Sequence, residues 1–544
     1  MPLEGAKPFK FTAMSASDTL DSTEEFPGAM RQLSNLVPDP TTKNLWVARP
    51  ASVLDFDFTT LAGTLGFISC GYIFGDFWYG MIANGSGTFS GFDTPVCINL
   101  LTNAQVTVTG GTVSNLPTSP SPTGAWVPPI MALVGTKIMI CHPGFPNGAN
   151  KVGWIDISTP SAPVYAAGDL TTQPFPSTPI AVANFFGRAY YLCNVAGGQP
   201  QAVFSDILAP TTRTNANQSL SFGDNVPLTA LAPLQLQNQL GGIIQSLIIF
   251  KSATNMYQVT GDYALTNNPL TVNVINTATG TLAPNSITNT PKGLIFLAPD
   301  GFRLIDQNAN VSDPIGEGGS GISVPFIFAV QPTRVIAESN AKIVRCSTQN
   351  QNAVGSPQQE WWFDLTRGVW SGPHTFPASL MWTYKNSFVM TPVGVVGKLF
   401  QSDYFPKGGS VYVENGNQMM FVYQTSLIPD MGDMDQYSLN EAYIYAAQDT
   451  KNTPMIHTVQ DEFGHALATV TITNTNVSGI WGAFTWGTGQ WGIPASLTVI
   501  PIKYDHNFVF SRASFTFTGS CNAGVEFGAF WARIKHLGYM KGAL

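Results

Sequence analysis

Apolar residues in this chain fall in short runs of roughly four to eight, rich in β-branched and aromatic types and separated by Gly, Pro, Asn, Asp and Ser. That pattern predicts strands and turns along almost the whole length. Helical periodicity is rare, because Gly, Pro or an Asn/Thr cluster interrupts most windows before three turns can form. Three short segments are helix candidates: Ala29–Leu36, Arg334–Ala341 and Tyr437–Asp449. The last of these reads equally well as a strand.

Between Phe67 and Tyr404 the order of elements repeats. An apolar strand, a tight turn and a second apolar strand are followed by a variable loop and a strand that ends in a small polar or acidic residue. GFISCGYIFGDFWYGMIANG closing with VCINLLTN is the first unit, and SLMWTYKNSFVMTP closing with GKLFQSDY is the seventh. The closing residues are Asn99, Asp156, Asp206, Thr260, Asp306, Asp364 and Asp403, spaced by 57, 50, 54, 46, 58 and 39 residues. A period of roughly 50 residues with several strands per unit predicts an all-β fold, a β-propeller of six to eight blades. A string of unrelated β-sandwiches is the competing reading. Segment 1–52 shows no blade pattern and reads as an N-terminal arm, expected to be free in the isolated subunit. The propeller is expected over 53–407, with long inserted loops at 105–129 and 208–242. From 408 to 544 alternating strands such as HALATVTITNT and ASFTFTG predict a C-terminal β-sandwich.

Composition narrows the class of function. Of 544 residues 44% are hydrophobic but only 11% are charged, so Ser, Thr, Asn, Gln and Gly must supply much of the surface. Such a surface suits a chain covered by neighbouring subunits. The net charge of −8 argues against a general phosphate-gripping surface, yet fits a channel wall past which nucleic acid slides. Cysteines 70, 97, 141, 193, 346 and 521 are widely spaced in apolar stretches, which predicts buried free thiols rather than a disulfide framework or zinc site. MPLEGAKPFKF lacks the apolar core of a signal peptide, and no uninterrupted apolar run reaches the about 18 residues of a membrane span. Synthesis in a reducing cytoplasm and no membrane segment are the expectations.

Local motifs offer little chemistry. Gly316, Gly318 and Gly321 match G-x-G-x-x-G, but the strand-like ISVPFIF that follows provides no helix N-terminus for a pyrophosphate. Glu462 and His465, with His457 nearby, have a spacing that could ligate a metal on a helix; Gly464 makes a hairpin turn the better reading. Asp430, Asp433 and Asp435 crowd three carboxylates together without the order of a calcium loop. None of the six His residues (142, 374, 457, 465, 506, 536) sits beside a recognisable nucleophile. The C-terminal Arg533, Lys535, His536 and Lys541, with Trp531 and Tyr539, form a basic aromatic strand, suited to a subunit contact or to nucleic acid. The reading is therefore non-enzymatic, with no catalytic, cofactor or metal residue assigned.

Four segments, taken in order, resemble the tail-hub or nozzle proteins of short-tailed bacteriophages, the packaged-DNA stabilisation family. They are QLSNLVPDPTTKNLWVARPAS (32–52), VFSDILAPTT to IIQSLIIFKSATNMYQVTGD (203–262), TATGTLAPNSITNTPKGLIFLAPDGFRLID (277–306) and EWWFDLTRGVWSG (360–372). The resemblance covers roughly the propeller half. It implies a structural virion protein assembled in the host cytoplasm. Such a subunit forms a ring, usually a hexamer, below the portal and its adaptor. The ring continues the channel for double-stranded DNA, retains the packaged genome and opens for ejection, with tail fibres or tailspikes as further partners. The alternative is a propeller-based carbohydrate- or receptor-binding module, whose Trp78, Trp362 and Trp370 would face a pocket. A propeller hydrolase would need a carboxylate cluster on the propeller axis.

Overall fold

The computed structural model describes residues 7–12, 15–16, 29–58, 65–84, 92–110, 113–114, 128–145, 148–237, 243–267, 269–315, 332–348, 359–403, 412–428, 435–447, 454–472, 498–521 and 525–539. Their regular secondary structure is almost entirely strand. Pro284–Ser286 and Pro332–Arg334 form single helical turns.

Seven antiparallel sheets follow one another around an axis. Blade 1 is Leu65–Phe74, Phe77–Asn84, Phe92–Asn99 and Ala104–Val106. Blade 2 is Ile130–Val134, Lys137–Cys141, Val152–Asp156 and Val164–Gly168. Blade 3 is Pro179–Phe185, Arg188–Cys193, Gln201–Phe204 and Ser219–Ser221. Blade 4 is Leu228–Gln237, Ile243–Lys251, Asn255–Thr260 and Thr271–Asn276. Blade 5 has only three strands, Thr288–Thr290, Gly293–Ala298 and Gly301–Asp306. Blade 6 is Ile336–Ser339, Ile343–Thr348, Gln359–Asp364 and Val369–His374. Blade 7 is Ala378–Tyr384, Ser387–Pro392 and Lys398–Ser402, completed on its outer edge by Val53–Asp57. The N-terminal strand thus closes the ring. Six of these sheets stand alone, and blade 6 runs on into a sheet of the second domain.

Period-two alternation explains why the blades stack. In blade 2, Ile138 and Ile140 pack towards blade 1 with Tyr79, Met81 and Cys97, while Met139 and Cys141 pack towards blade 3 with Tyr191 and Cys193. Neither face of a blade could stay exposed, so each depends on both neighbours. All six cysteines are buried free thiols. Burial pushes Cys97, Cys193 and Cys521 up to about 12.

Asp206 and Asp403 lie just beyond the third strands of their blades, and the other five closing residues each end one. Asn99, Asp156, Asp306 and Asp364 do so by the same means. The side-chain oxygen accepts the backbone N–H two residues on, from Leu101, Ser158, Asn308 and Thr366 at 2.8–2.9 Å. These residues mark the end of each unit in the sequence, yet a fourth, outer strand still follows in five blades, blade 5 lacks one and blade 7 takes Val53–Asp57 from the N-terminal segment.

Other expectations are corrected. Segment 208–242 is not one long loop: Ser219–Ser221 and Leu228–Gln237 are the outer strand of blade 3 and the inner strand of blade 4. Of loop 105–129, residues 111–112 and 115–127 lie outside the described residues. The three helix candidates are strands, Ala29–Ser34, Ile336–Ser339 and Asp435–Ala447, because tertiary pairing outweighs short-range propensity. Nor is the N-terminal segment a free arm. Lys7–Thr12 and Trp46–Ala48 pair with Glu526–Tyr539, and Ala29–Ser34 bridges Val369–His374 of blade 6 to Met420–Thr425. These strands belong to the C-terminal unit.

That unit is a β-sandwich. One sheet holds Leu36–Pro38, Trp46–Ala48, Glu526–Tyr539, Asp435–Ala447 and Thr498–Phe510; the other holds Ala29–Ser34, Met420–Thr425, Ala513–Ser520, Met455–Asp461 and Ala466–Ile472. Their inner faces meet through aromatic pairs. Phe421 and Tyr423 lie 5.0 Å from Phe527, and Phe515 lies 4.7 Å from Phe530.

Trp78 is the anchor between blades 1 and 7 and is fully buried. A Cβ on Gly80 would stand 2.1 Å from its ring, so only glycine leaves the space. Gly80→Ala is expected to destabilise the fold by about 2 kcal/mol or more. Denaturant unfolding checks this; an unchanged midpoint would refute the packing described.

Candidate functional site

The inner strands of all seven blades line a pocket of about 640 Å³ on the propeller axis. The inner strands carry Pro and small or polar residues, because each has a sheet neighbour on one side only and the axis on the other. Pro233, within Leu228–Gln237, needs no second ladder partner there. Tyr72, Asn184, Asn285, Asn289, Glu338 and Thr383 supply polar atoms to the lining, and Trp382 a half-buried ring. Asn285 Nδ2 is buried without a hydrogen-bond partner.

Glu338 is the acidic side chain among the described lining residues. Its Oε1 lies 2.7 Å from the Thr383 hydroxyl, which is also 2.9 Å from the Ser339 carbonyl. Burial raises the carboxyl to about 7, partly offset by the Thr383 hydrogen bonds. A single carboxyl poised near neutrality can donate or accept a hydrogen bond. Hydrolysis of a glycoside by paired carboxylates needs a second such group.

The second polar centre is the joint between propeller and sandwich. Arg49 is 2% exposed and every guanidinium N–H is satisfied. Nη1 and Nη2 reach the two oxygens of Glu414 at 2.7 and 2.9 Å; Nε reaches Asn35 at 2.9 Å, and the Pro50 and Thr375 carbonyls take the rest. Glu414 also accepts the Ser52 N–H at 2.9 Å. Alongside, Arg345 Nε meets Glu360 Oε1 at 2.7 Å, and Glu360 also accepts from Trp362 Nε1 and the Ala378 N–H. Trp362 lies between the guanidinium groups, with Arg345 at 4.9 Å and Arg49 at 5.7 Å from its ring. His374 accepts the Asn35 N–H on Nδ1 and meets Ser371 through Nε2. Burial, then the Arg49 and Arg345 charges, hold its imidazole well below the ordinary range and therefore neutral.

The structure disperses the residues singled out in the sequence. Trp78, Trp362 and Trp370 are buried core residues and none lines the axial pocket; Trp362 borders a smaller one of about 230 Å³ beside Val37, Pro38 and Arg367. Asp461, Glu462 and Gly464 form a hairpin in which the exposed His465 bonds Asp461 at 3.0 Å. His457 is instead inside the sandwich, 2.8 Å from the Tyr504 hydroxyl and stacked on Phe517, and burial pushes it down to about 3. Gly316, Gly318, Gly321, Asp430, Asp433 and Lys541 lie outside the described residues. Among the described residues no group of three His, Cys, Asp or Glu is arranged to hold a metal ion, and no helix is long and apolar enough to cross a membrane. Sequence reasoning missed Arg49, Glu414, Glu338 and Asn285. For Arg49 the Arg-Pro pair ahead of the first blade was a signal; for Glu338 none existed.

No known protein-family model and no curated protein matches the chain. Solved propellers do. The Dos1 propeller matches at 10% identity and a TM-score of 0.35, covering 73% of this chain and 95% of its own. The SapL1 lectin in complex with α-methyl fucoside matches at 12% identity and a TM-score of 0.30, over 56% and 94% of the two chains. A puromycin hydrolase matches at 10% identity and a TM-score of 0.37, over 70% and 61%. Likeness at this level carries nothing about ligand or reaction.

The buried Glu338 carboxyl gives a pH-dependent outcome. Its value lies above the ordinary 4.5, so the stability it contributes is whole below about pH 4.5 and lost as pH rises through about 7. Glu338→Gln is expected to match the parent at pH 4 and to exceed it by about 1–3 kcal/mol at pH 8. Urea unfolding at both pH values measures this, and equal stability at pH 8 would contradict the burial of the charge.

Proposed function

We propose that this chain is a structural subunit of a short-tailed bacteriophage tail, of the hub or nozzle kind. The observation that carries the reading is mechanical. Propeller and sandwich share one continuous sheet, from Ile336–Ser339 of blade 6 through Ala29–Ser34 to Ala466–Ile472, and the Arg49–Glu414 pair is buried at their joint. A block without a free hinge suits a ring that must transmit force and keep a channel open.

The ordered resemblance of the four segments supports the same reading. So do exposed apolar side chains on the turns that end the third strands: Leu101 (61%), Ile207 (56%) and Leu208 (66%). Exposed apolar turns of this kind suit contact with a neighbouring subunit. The edge strand Thr498–Phe510 adds exposed Val499 and Val509. A heterologous contact between such patches closes into a ring when the rotation permits. Double-stranded DNA passes through that ring without sequence-specific contacts, and the partners are the portal adaptor above and fibres or tailspikes at the side.

A glycan- or receptor-binding propeller is the second reading, favoured by the axial pocket with its half-buried Trp382 and the polar Glu338, Thr383 and Asn285. Mass measurement separates the two. Light scattering across a concentration series, with and without virion-derived adaptor, is expected to give a closed ring of about six copies, at least on the adaptor. A monomer at every concentration that ignores the adaptor, and binds a glycan through Trp382, would overturn the tail reading.

A further inference from the structure

We infer that the outer face of the C-terminal sandwich is a binding platform for an acidic glycan, one bearing uronic or sialic acid carboxylates. The site is separate from the axial pocket, and the inference does not depend on the tail assignment.

The platform is built by strand alternation. In Glu526–Tyr539, Phe530 and Ala532 point into the sandwich core, which turns Trp531 and Arg533 outwards. In Asp435–Ala447, Ala442, Ile444 and Ala446 are buried, which turns Glu441, Tyr443 and Tyr445 to the same outer side. The register sets Trp531 between Tyr443 and Lys10, and Arg533 opposite Glu441. Across the next strand Lys503 pairs with Glu441, Pro501 with Tyr443 and Val499 with Tyr445. Four adjacent strands span about 15 Å, the width of two to three sugar rings.

One of the rings, Tyr445, is held against the backbone, and Trp531 stands steeply to it at 73°. Tyr445 covers Gly528, where an added Cβ would stand 2.6 Å from the ring, and meets Trp531 edge-on at 6.5 Å. Arg533 sits 5.9 Å from the Tyr443 ring and Lys10 5.8 Å from the Trp531 ring. Tyr443 donates to Glu441 at 2.6 Å, and Arg533 pairs with the same carboxylate at 2.8 Å. The result is a fixed row of three half-buried rings, rimmed by exposed Lys10, Lys503 and Arg533 against one carboxylate. Further along, Lys535 and the exposed Asp505 add one charge of each sign.

Charge and shape select the ligand. The chain as a whole carries −8, so a local cationic excess stands out from its background. An aromatic ring face takes the C–H face of a pyranose, while the exposed lysine tips meet carboxylates at its edge. A nucleic-acid strand carries a phosphate about every 3.4 Å and would bring a dense anionic train towards an acidic protein. Lys10 and Lys503, with Arg533 already paired to Glu441, match the sparser carboxylates of an acidic sugar chain better.

Calorimetry on the full chain tests this with oligogalacturonate and oligosialic acid as probes, methyl-esterified oligogalacturonate as the neutral control and an oligothymidylate as the nucleic-acid control. Binding to at least one acidic probe is expected, weakened about tenfold or more by esterification. Tyr443→Ala and, separately, Lys10→Glu with Lys503→Glu should each weaken it by a similar factor. The two lysines are exposed, so their exchange leaves the core intact. Failure to bind either acidic probe, or binding that neither variant alters, overturns the inference. Tighter binding of oligothymidylate also overturns it, as does a protein dimer that the lysine variant dissolves. Ring formation on the adaptor is read separately, so loss of one reading leaves the other standing.

Discussion

A guanidinium group with no water around it must find a partner for every N–H, and Arg49 finds all of them at the one place where the two domains meet. Its partners come from four stretches of chain, at Asn35, Pro50, Thr375 and both oxygens of Glu414, with the Ser52 N–H completing the carboxylate. The segment that carries Arg49 leads straight into Val53–Asp57, the strand that closes the propeller. Ring closure, the crossing into the sandwich and the anchoring of residue 414 are thus fixed by one ion pair. The Arg345–Glu360 pair and Trp362 extend the same polar layer into blades 6 and 7. Removing one member of such a pair leaves an uncompensated buried charge, which costs about 3–5 kcal/mol.

The sequence made the third strands plain and hid the first in blades 4, 5 and 6. Third strands end in residues such as Asp156, Asp306 and Asp364, whose side chains hold the following turn, so a local chemical need leaves a local mark. Second strands are apolar runs because both faces are buried between blades. The inner strands of blades 4, 5 and 6 have neither property. LTALAPLQLQ, TNT and IAES face the axis, tolerate Pro and polar residues, and lack an apolar run. That is why 208–242 reads as a loop and 334–341 as a helix. The N-terminal strands were illegible for a different reason: Lys7–Thr12 and Ala29–Ser34 complete sheets whose other strands lie hundreds of residues away.

Sites follow the same rule. The Arg-Pro pair at 49–50 was visible, but its partner Glu414 is set by topology. Glu338 sits in a short polar strand and becomes distinctive only when seven blades enclose it. The basic aromatic strand at 531–536 was legible as a strand face, since Trp531 and Arg533 alternate with Phe530 and Ala532. Its neighbours Tyr443, Tyr445, Lys503 and Lys10 come from three other strands.

The central claim is that propeller and sandwich behave as one mechanical unit locked by the Arg49–Glu414 pair. Scanning calorimetry of the parent and of Arg49→Met tests it most directly. One cooperative transition is expected for the parent, and for Arg49→Met a lower and split transition as the sandwich separates from the propeller. Two independent transitions in the parent, or a variant that melts as a single unit at the parent's temperature, would contradict the account.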